Sequence, residues 1–419
     1  MKKLLTLLTS AVVILSLCSC ENNIPKEPSL ATNTGTSMFN QIMETEDGYY
    51  FNEAMAFNEL SLRFYDKATG KDLFLCAKPE CTHDGNSFCA ATAGKLKTCY
   101  TAMYDDGVYI TVLDRKEERT EYKLLKASLD GTELTEICTF LNVNNAEENP
   151  VIMMSTSNNM VIHRGYAFVP YFISTSDKGM MGKTGAAVID IQSGKYELIS
   201  ELDMSQTLGI ENITADGDCF YYTAYFSNTH ENHFYSYNFK TNEEKEIPEI
   251  SEISNYEIDS YTPVDGKLWF VANTDGMMTN DVYIYDPETN TTEKSEAFTQ
   301  KLGELTEIYD TNGNLQTVNF DIYTLAKLRY DGEYLYVAER GFFGRDYNEW
   351  EMQLHIFTLD GEELGSFIYE REGACQMNIV NRTVYIQTTG GVEYCAVEDI
   401  ICDNTEWKDL YKFEQAEVE

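Results

Sequence analysis

The sequence predicts an all-β protein, a β-propeller of seven four-stranded blades. Three observations support this fold. An acidic residue and a glycine recur in front of short aromatic and β-branched runs, a second polar turn follows each run, and no stretch shows helical periodicity. Units of this kind that repeat every 40 to 50 residues or so are typical of propeller blades.

The first signature is clearest at Asp331-Gly332-Glu333-Tyr334-Leu335-Tyr336-Val337. Glycine supplies the positive φ of a tight turn, and the bulky residues after it favour a buried inner strand. We therefore expect positive φ in two-residue hairpins at Gly266 and Gly332. Successive glycines are 49 to 66 residues apart. The copies open at Asp47-Gly48, Asp106-Gly107, Arg164-Gly165, Asp216-Gly217, Asp265-Gly266 and Asp331-Gly332, with a degenerate copy from Asn381 to Ile386.

The second signature is a strand that ends in Asp or Asn, then a short polar turn and another strand, as at Asp66 to Gly70 and Asp286 to Asn290. Two hairpins per unit give four strands per unit. Six or eight blades remain open, because residues 304–319 contain their own hairpin signal at Asn312-Gly313. The seven predicted units are residues 37–78, 97–138, 158–203, 208–250, 256–297, 316–370 and 375–414.

The amino terminus predicts export and lipidation. Lys2 and Lys3 precede an apolar run over residues 4–17, which is too short to span a bilayer and matches a secretory signal. The run ends in Leu17-Cys18-Ser19-Cys20, which resembles the lipobox of bacterial lipoproteins. That resemblance makes Cys20 the lipidated mature terminus; an uncleaved anchor is the alternative. We expect a signal peptide (1–19), a flexible tether (20–36) and a single propeller domain (37–419).

The net charge of the chain limits the kinds of partner that it can bind. The chain has 69 Asp and Glu residues against 31 Lys and Arg residues, a formal net charge of -38. Such a surface repels phosphate backbones, so we expect no nucleic-acid partner. The expected protein is a monomer outside the cytoplasm, held at the bacterial cell membrane by the lipid on Cys20.

Loop lengths point to one face of the ring. In a four-stranded blade the first and third turns lie on one face, and the second turn and the link to the next blade lie on the other. The first and third turns are short here, whereas the others are long and irregular, as binding loops often are. One such loop, from Gly341 to Trp350, carries five candidate ligand-binding residues that could stack on a sugar or anchor a peptide, or could instead cover a blade edge. They are Phe342, Phe343, Arg345, Tyr347 and Trp350.

The link after the first unit is rich in cysteine. Cys76, Cys81, His83 and Cys89 offer three thiolates and an imidazole, a ligand set that suits tetrahedral zinc, and Cys99 follows. Clustered cysteines in exported proteins usually form disulfides. We therefore expect at least one disulfide among these four cysteines, with metal binding and free thiols as the alternatives. No other cofactor is predicted.

This link, the lipobox and the Asp-Gly repeats resemble a poorly characterised group of bacterial surface lipoproteins. Their propellers are of the TolB-like or LDL-receptor-related kind, and they carry a Cys-Lys-Pro-x-Cys-x-His segment. The Tyr-Trp-Thr-Asp signature of LDL-receptor propellers is absent from this sequence. The resemblance implies a lipid-anchored cell-surface protein and brings no catalytic residues.

Motifs of catalysis are scarce. The sequence has no Gly-x-Ser-x-Gly elbow, no phosphate-binding loop, no His-Glu-x-x-His and only five histidines. It therefore favours a binding module for a protein, peptide or glycan over an enzyme. The alternatives are a carbohydrate-active enzyme of propeller type, such as a glycoside hydrolase or lyase, and a structural accessory of an envelope or transport assembly.

Overall fold

The structure, a computed structural model, contains the predicted seven-bladed β-propeller: within the described residues, 28 strands form seven four-stranded antiparallel sheets. Each sheet uses four strands that are consecutive in the chain. The described residues are 43–56, 59–83, 89–93, 97–144, 160–174, 182–203, 205, 207–226, 228–229, 231–253, 257–273, 281–305, 327–343, 349–369, 374–388 and 391–412.

Each blade falls within one predicted repeat unit or extends it by a few residues. The strands, in order from blade 1 to blade 7, are β1 (Met43–Glu44), β2 (Gly48–Ala56), β3 (Glu59–Asp66) and β4 (Lys71–Phe74); β5 (Lys97–Tyr104), β6 (Gly107–Arg115), β7 (Arg119–Ser128) and β8 (Leu134–Asn144); β9 (Val161–His163), β10 (Tyr166–Ser174), β11 (Gly182–Asp190) and β12 (Tyr196–Asp203); β13 (Thr207–Asp216), β14 (Cys219–Phe226), β15 (Glu231–Asn238) and β16 (Glu243–Glu246); β17 (Glu257–Val264), β18 (Lys267–Asn273), β19 (Asp281–Asp286) and β20 (Thr291–Lys294); β21 (Lys327–Tyr330), β22 (Leu335–Phe343), β23 (Glu349–Phe357) and β24 (Glu363–Tyr369); β25 (Ala374–Val380), β26 (Thr383–Thr388), β27 (Gly391–Ala396) and β28 (Lys408–Lys412).

Burial changes across a blade, and the residue types follow it. In blade 4, β14 reads Cys-Phe-Tyr-Tyr-Thr-Ala-Tyr-Phe and is mostly buried, whereas β16 reads Glu-Glu-Lys-Glu and is exposed throughout. Strands covered on both sides need continuous apolar or aromatic residues, while an outermost strand needs charges that discourage pairing with another chain. The large aromatic content of the sequence is used in the inner strands.

The hairpin turns confirm part of the glycine prediction. Asp265 and Gly266 have φ of 49° and 78° and form a two-residue turn between the paired residues Val264 and Lys267. Gly332 also has positive φ, 99°.

The hairpin at Gly332 departs in part from the expected two-residue form: four residues lie between the paired Tyr330 and Leu335, and within them the amide of Asp331 donates to the carbonyl of Tyr334 at 3.3 Å. The Oδ1 atom of Asp331 accepts hydrogen bonds from the amides of Glu333 and Tyr334, both at 2.9 Å. An Asp side chain that caps amides in this way stabilises the wider turn.

The apolar core is divided among the seven contacts between neighbouring blades. Each contact contains one cluster of buried residues drawn from both blades, for example Phe168 of blade 3 with Phe220 and Tyr222 of blade 4. Side-chain hydrogen bonds also cross these contacts: Tyr237 Oη donates to Glu197 at 2.8 Å, and Tyr369 Oη donates to Glu393 at 2.9 Å. Packing and hydrogen bonds between the faces of neighbouring blades therefore hold the propeller together.

The ring closes by packing of blade 7 on blade 1, and among the described residues each of these two sheets consists of four strands consecutive in the chain. Tyr49 and Tyr385 make an edge-to-face contact with 6.0 Å between ring centroids. Tyr385 Oη donates to Glu44 Oε2 at 3.5 Å. Val392 and Leu410 complete this cluster.

The described residues also contain three short helices, α1 (Pro248–Ser251), α2 (Glu296–Leu305) and α3 (Val397–Ile401). Each helix contributes buried side chains to the contact between two neighbouring blades. These side chains are Ile250 from α1, Phe298 from α2, and Val397 and Ile400 from α3. These helices have so few buried positions that they leave no helical period in the sequence. Among the described residues, no helix is long and apolar enough to cross a membrane.

The segment from Gly341 to Trp350, predicted to be a loop, is strand at both of its ends, and residues 344–348 between them lie outside the described residues. Strand β22 continues to Phe343, β23 begins at Glu349, and Phe342 pairs with Trp350. The sequence does not predict this pairing, because residues 341–343 of β22, Gly-Phe-Phe, show no alternation of apolar and polar types. Arg345 and Tyr347 lie outside the described residues, as do the side chains of Phe342, Phe343 and Trp350.

Candidate functional site: a cysteine-histidine cluster between blades 1 and 2

The cluster begins where the chain leaves the outer strand of blade 1. The amide of Leu75 donates to the carbonyl of Leu62 at 2.9 Å, which continues the β3–β4 ladder by one step. The amide of Ala77 then donates to the carbonyl of Gly131, in the β7–β8 turn of blade 2, at 3.0 Å. Cys76 is thus fixed between one backbone bond within blade 1 and one to blade 2.

A tight turn brings the next two side chains back toward Cys76. The amide of Cys81 donates to the carbonyl of Lys78 at 3.2 Å, and Pro79 fixes φ inside the turn. His83 has a positive φ of 52°, and its ring stacks on Phe74 with 4.4 Å between centroids. The guanidinium of Arg63 lies 4.0 Å from the centroid of the same Phe74 ring. Strands β3 and β4 therefore orient the imidazole.

Cys89 joins the cluster from the later part of the link and is only 1 % exposed. It precedes a turn in which the carbonyl of Ala91 accepts a hydrogen bond from the amide of Leu62 at 2.8 Å. Its Sγ lies 3.3 Å from Thr92 Oγ1. The turn is therefore bonded to the same strand, β3, that supports Phe74 through its ladder to β4.

These four side chains converge on one point. The Sγ atoms of Cys76, Cys81 and Cys89 and a ring nitrogen of His83 all lie within 4.8 Å of one another. The distance from Cys89 Sγ to His83 Nδ1 is 3.9 Å. A tetrahedral zinc site with three sulfurs and one nitrogen has edges of roughly 3.5 to 3.8 Å, so the group could hold a metal ion after a contraction of about 1 Å or less. It is the one such group found in the described part of the chain.

The structure has no disulfide between any two of Cys76, Cys81 and Cys89. Residues 84–88 and the side chain of Cys99 lie outside the described residues, so the expectation of at least one disulfide among the four cysteines stays a prediction. The lipidation residue Cys20 also lies outside them.

Burial sets the protonation of the cluster in the metal-free protein. Burial raises the pKa of the Cys76 thiol, and the neighbouring Cys89 and Cys81 raise it further. Burial lowers the pKa of His83, and the positive charge of Arg63 lowers it further, which favours the neutral imidazole. Neutral imidazole is the form that binds metals.

Several supporting residues could not be identified from the sequence. Arg63 and Phe74 lie on strands of blade 1, Thr92 lies in the turn after Cys89, and Gly131 belongs to blade 2. They carry no local motif, and they reach the cluster only because the two blades pack together. A pocket of about 440 Å³ adjoins the cluster on the blade 2 side, lined by Lys78, Cys89, Ala90 and residues 131–135.

Comparisons with known proteins agree with the fold. No protein-family model matches the chain, and no curated protein sequence matches it. It is similar to a structure from a study of two prolyl endopeptidases, at 10% identity and a TM-score of 0.50, over 89% of this chain and 49% of that one. The chain therefore spans about half the length of that protein.

Two further similar structures are close to this chain in length. One is an oligogalacturonate lyase from Vibrio parahaemolyticus, at 9% identity and a TM-score of 0.48, over 86% of this chain and 88% of that one. The other is TolB from Acinetobacter baumannii, at 12% identity and a TM-score of 0.36, over 86% and 76%. At these identities the likeness concerns the fold alone.

Gly131 offers a direct test of how the link docks. A Cβ atom at this position would lie 2.7 Å from the Cys76 amide nitrogen, and φ is +67°. Gly361, in the matching turn of blade 6, has φ of +86° but nothing closer than 3.9 Å. Gly361→Ala should therefore cost about 1 kcal/mol from backbone strain, and Gly131→Ala roughly 1 to 3 kcal/mol more from the clash.

Chemical denaturation measures both free energies of unfolding, and the alkylation rate of Cys76 reports local displacement. We expect faster alkylation in Gly131→Ala alone. Equal destabilisation by the two substitutions, with unchanged alkylation, would contradict the docking described.

Proposed function

We propose that the protein is a lipid-anchored, extracytoplasmic β-propeller that binds a protein, peptide or glycan through one face of the ring. We call this the long-loop face: it consists of the segments between the second and third strands of each blade and the links between blades. The anchor is the lipid on Cys20, and the body is a single domain that follows a flexible tether.

The observation that carries this proposal is the unequal distribution of connecting segments. On the opposite face, β5 and β6 are joined by residues 105–106, β17 and β18 by residues 265–266, and β25 and β26 by residues 381–382. On the long-loop face, the second turns of blades 3, 5 and 6 span residues 175–181, 274–280 and 344–348. The expectation of long second turns is wrong for the other four blades, whose second turns are 57–58, 116–118, 227–230 and 389–390, so the proposed contact lies on blades 3, 5 and 6. Tight turns offer little side-chain surface, whereas longer segments on a rigid ring supply adaptable contacts.

Composition supports a binding role in a second way. The segment around residues 344–348 and its flanking strands hold three aromatic residues besides Phe343, together with Arg345. Aromatic and guanidinium groups are enriched among the residues that dominate binding energies. The net charge of -38 favours a partner that is neutral or positively charged at its contact surface.

Lipidation makes a prediction about Cys20. The Cys20→Ala variant, expressed behind an ordinary cleavable signal peptide, should move from the membrane fraction to the soluble fraction with an unchanged thermal midpoint, because the lipid is the proposed anchor. Cys18→Ala with the native leader is the matched control and should stay in the membrane. Persistence of Cys20→Ala in the washed membrane pellet would contradict the proposed anchor.

Face-specific binding can be tested with a photo-reactive phenylalanine analogue in living cells. Tyr347 belongs to the segment between β22 and β23 on the long-loop face, and Tyr196, which is 46% exposed, follows the third turn of blade 3 on the opposite face. We expect a discrete cross-linked product from position 347 and none from position 196, since only the first position faces the proposed partner.

The product should then be identified by mass spectrometry and its binding to the full chain measured at two salt concentrations. Affinity that falls with salt indicates a cationic protein or peptide, and affinity that does not indicates ring stacking on a glycan. Equal labelling from both positions, or labelling from position 196 alone, would refute the proposed face.

A further inference from the structure

We propose that Cys76, Cys81, His83 and Cys89 form a closed structural zinc site that fastens blade 1 to blade 2. This inference is independent of the ligand-binding role proposed above, because it concerns the integrity of the ring. It assigns a metal, a ligand set and a task to the cluster.

The first argument comes from the outer parts of the blade contacts. The contact between blades 4 and 5 is filled by Ile250, that between blades 5 and 6 by Phe298, and that between blades 6 and 7 by Ile400. In the contact between blades 1 and 2 the link supplies Leu75 at its start, and over its later described residues it adds only Ala90 and Ala93 to the apolar cluster. Alanine side chains bury little apolar area, so another interaction is needed to hold the later part of this link in its folded conformation.

The cysteine-histidine cluster lies in the part of the link that needs this additional interaction. The link is bonded to blade 1 through the amide of Leu62 and to blade 2 through the carbonyl of Gly131, and the four ligands belong to the segment that makes these bonds. A metal bound there would join Cys76, at the end of blade 1, to Cys89, beside Ala90. It would hold both ends of the link in the contact.

The ligand types select zinc. Three thiolates and one imidazole form a common tetrahedral structural set, and hard cations such as calcium and magnesium prefer oxygen ligands. A disulfide would use two of the sulfurs and leave the third sulfur and His83 without a common partner. The convergence of all four ligand atoms within 4.8 Å is what a metal ion requires.

The ligand count indicates a structural site. Four protein ligands complete a tetrahedron, whereas a catalytic zinc keeps one position open for water or substrate. Cys89 is nearly inaccessible, and the stacking of His83 on Phe74 fixes its ring plane. The zinc would therefore stabilise the folded link and take no part in a reaction.

The first experiment uses the full chain in detergent, reduced and then loaded with zinc alone. We expect one zinc per chain by elemental analysis. Loading with cobalt in place of zinc should give the intense visible bands of tetrahedral cobalt and the charge-transfer bands of thiolate ligation. Cobalt is used because its spectrum reports the coordination geometry and the donor atoms, whereas zinc has no visible spectrum.

Variants then test the ligands. Cys81→Ser and His83→Gln change half-exposed residues and should weaken zinc at least about 100-fold, because even loss of an outer partner of a metal site costs roughly 10 to 100-fold. Cys402→Ser changes an exposed free cysteine in blade 7 and should leave zinc affinity unchanged. Circular dichroism confirms that each variant is folded at the temperature of the titration.

Four results would overturn the proposal. One is failure of the reduced wild-type chain to bind zinc stoichiometrically. Another is an octahedral cobalt spectrum without thiolate bands. The third is equal zinc affinity in Cys81→Ser, His83→Gln and Cys402→Ser. A disulfide between two of the three cysteines in native protein, found by mass spectrometry before any reduction, would equally exclude the zinc site.

Discussion

The structure depends on one constraint: both faces of every blade are apolar, so each blade must be covered by a neighbour on each side. Seven separate clusters of buried residues meet this requirement, one at each contact. A row of such sheets would leave two uncovered faces at its ends, and closure into a ring removes both. The packing of Tyr385 against Tyr49 is therefore as necessary to the fold as any bond within a blade.

Filling the outer parts of the contacts is a separate problem from pairing the inner strands. Three contacts use short helices that insert Ile250, Phe298 or Ile400. The contact between blades 1 and 2 uses a link that contains the cysteine-histidine cluster and whose described residues add Leu75, Ala90 and Ala93 to the apolar cluster. The unusual composition of that link is explained if coordination bonds there perform the task that apolar side chains perform elsewhere.

The sequence contained most of the fold because the repeat is local. An acidic residue and glycine before an aromatic run specify a hairpin and a buried strand together, so seven copies predict seven blades. The four-residue turn at Gly332 depended on the Asp331 carboxylate, and the helices depended on single anchors such as Phe298. Such features involve too few residues to produce a periodic pattern of apolar positions in the sequence.

The candidate site was predictable only in its ligands. Cys76, Cys81, His83 and Cys89 are adjacent enough in sequence to be recognised, but a choice between disulfide and metal required their relative positions. Arg63, Phe74 and Gly131 reach the cluster through strand pairing and blade contact, which no local pattern records. The aromatic residues near Tyr347 belong to a strand extension whose pairing likewise depended on the hairpin as a whole.

The central claim is that the cysteine-histidine cluster and the contact between blades 1 and 2 are one unit, and amide hydrogen exchange tests it most directly. The amides of Leu62 and Ala77 donate to the link and to blade 2, whereas that of Tyr330 donates to Thr262 across the distant contact between blades 5 and 6. Removal of zinc by a chelator should accelerate exchange at Leu62 and Ala77 and leave Tyr330 unchanged. Unchanged exchange at Leu62 and Ala77, or equal acceleration at all three amides, would contradict the account.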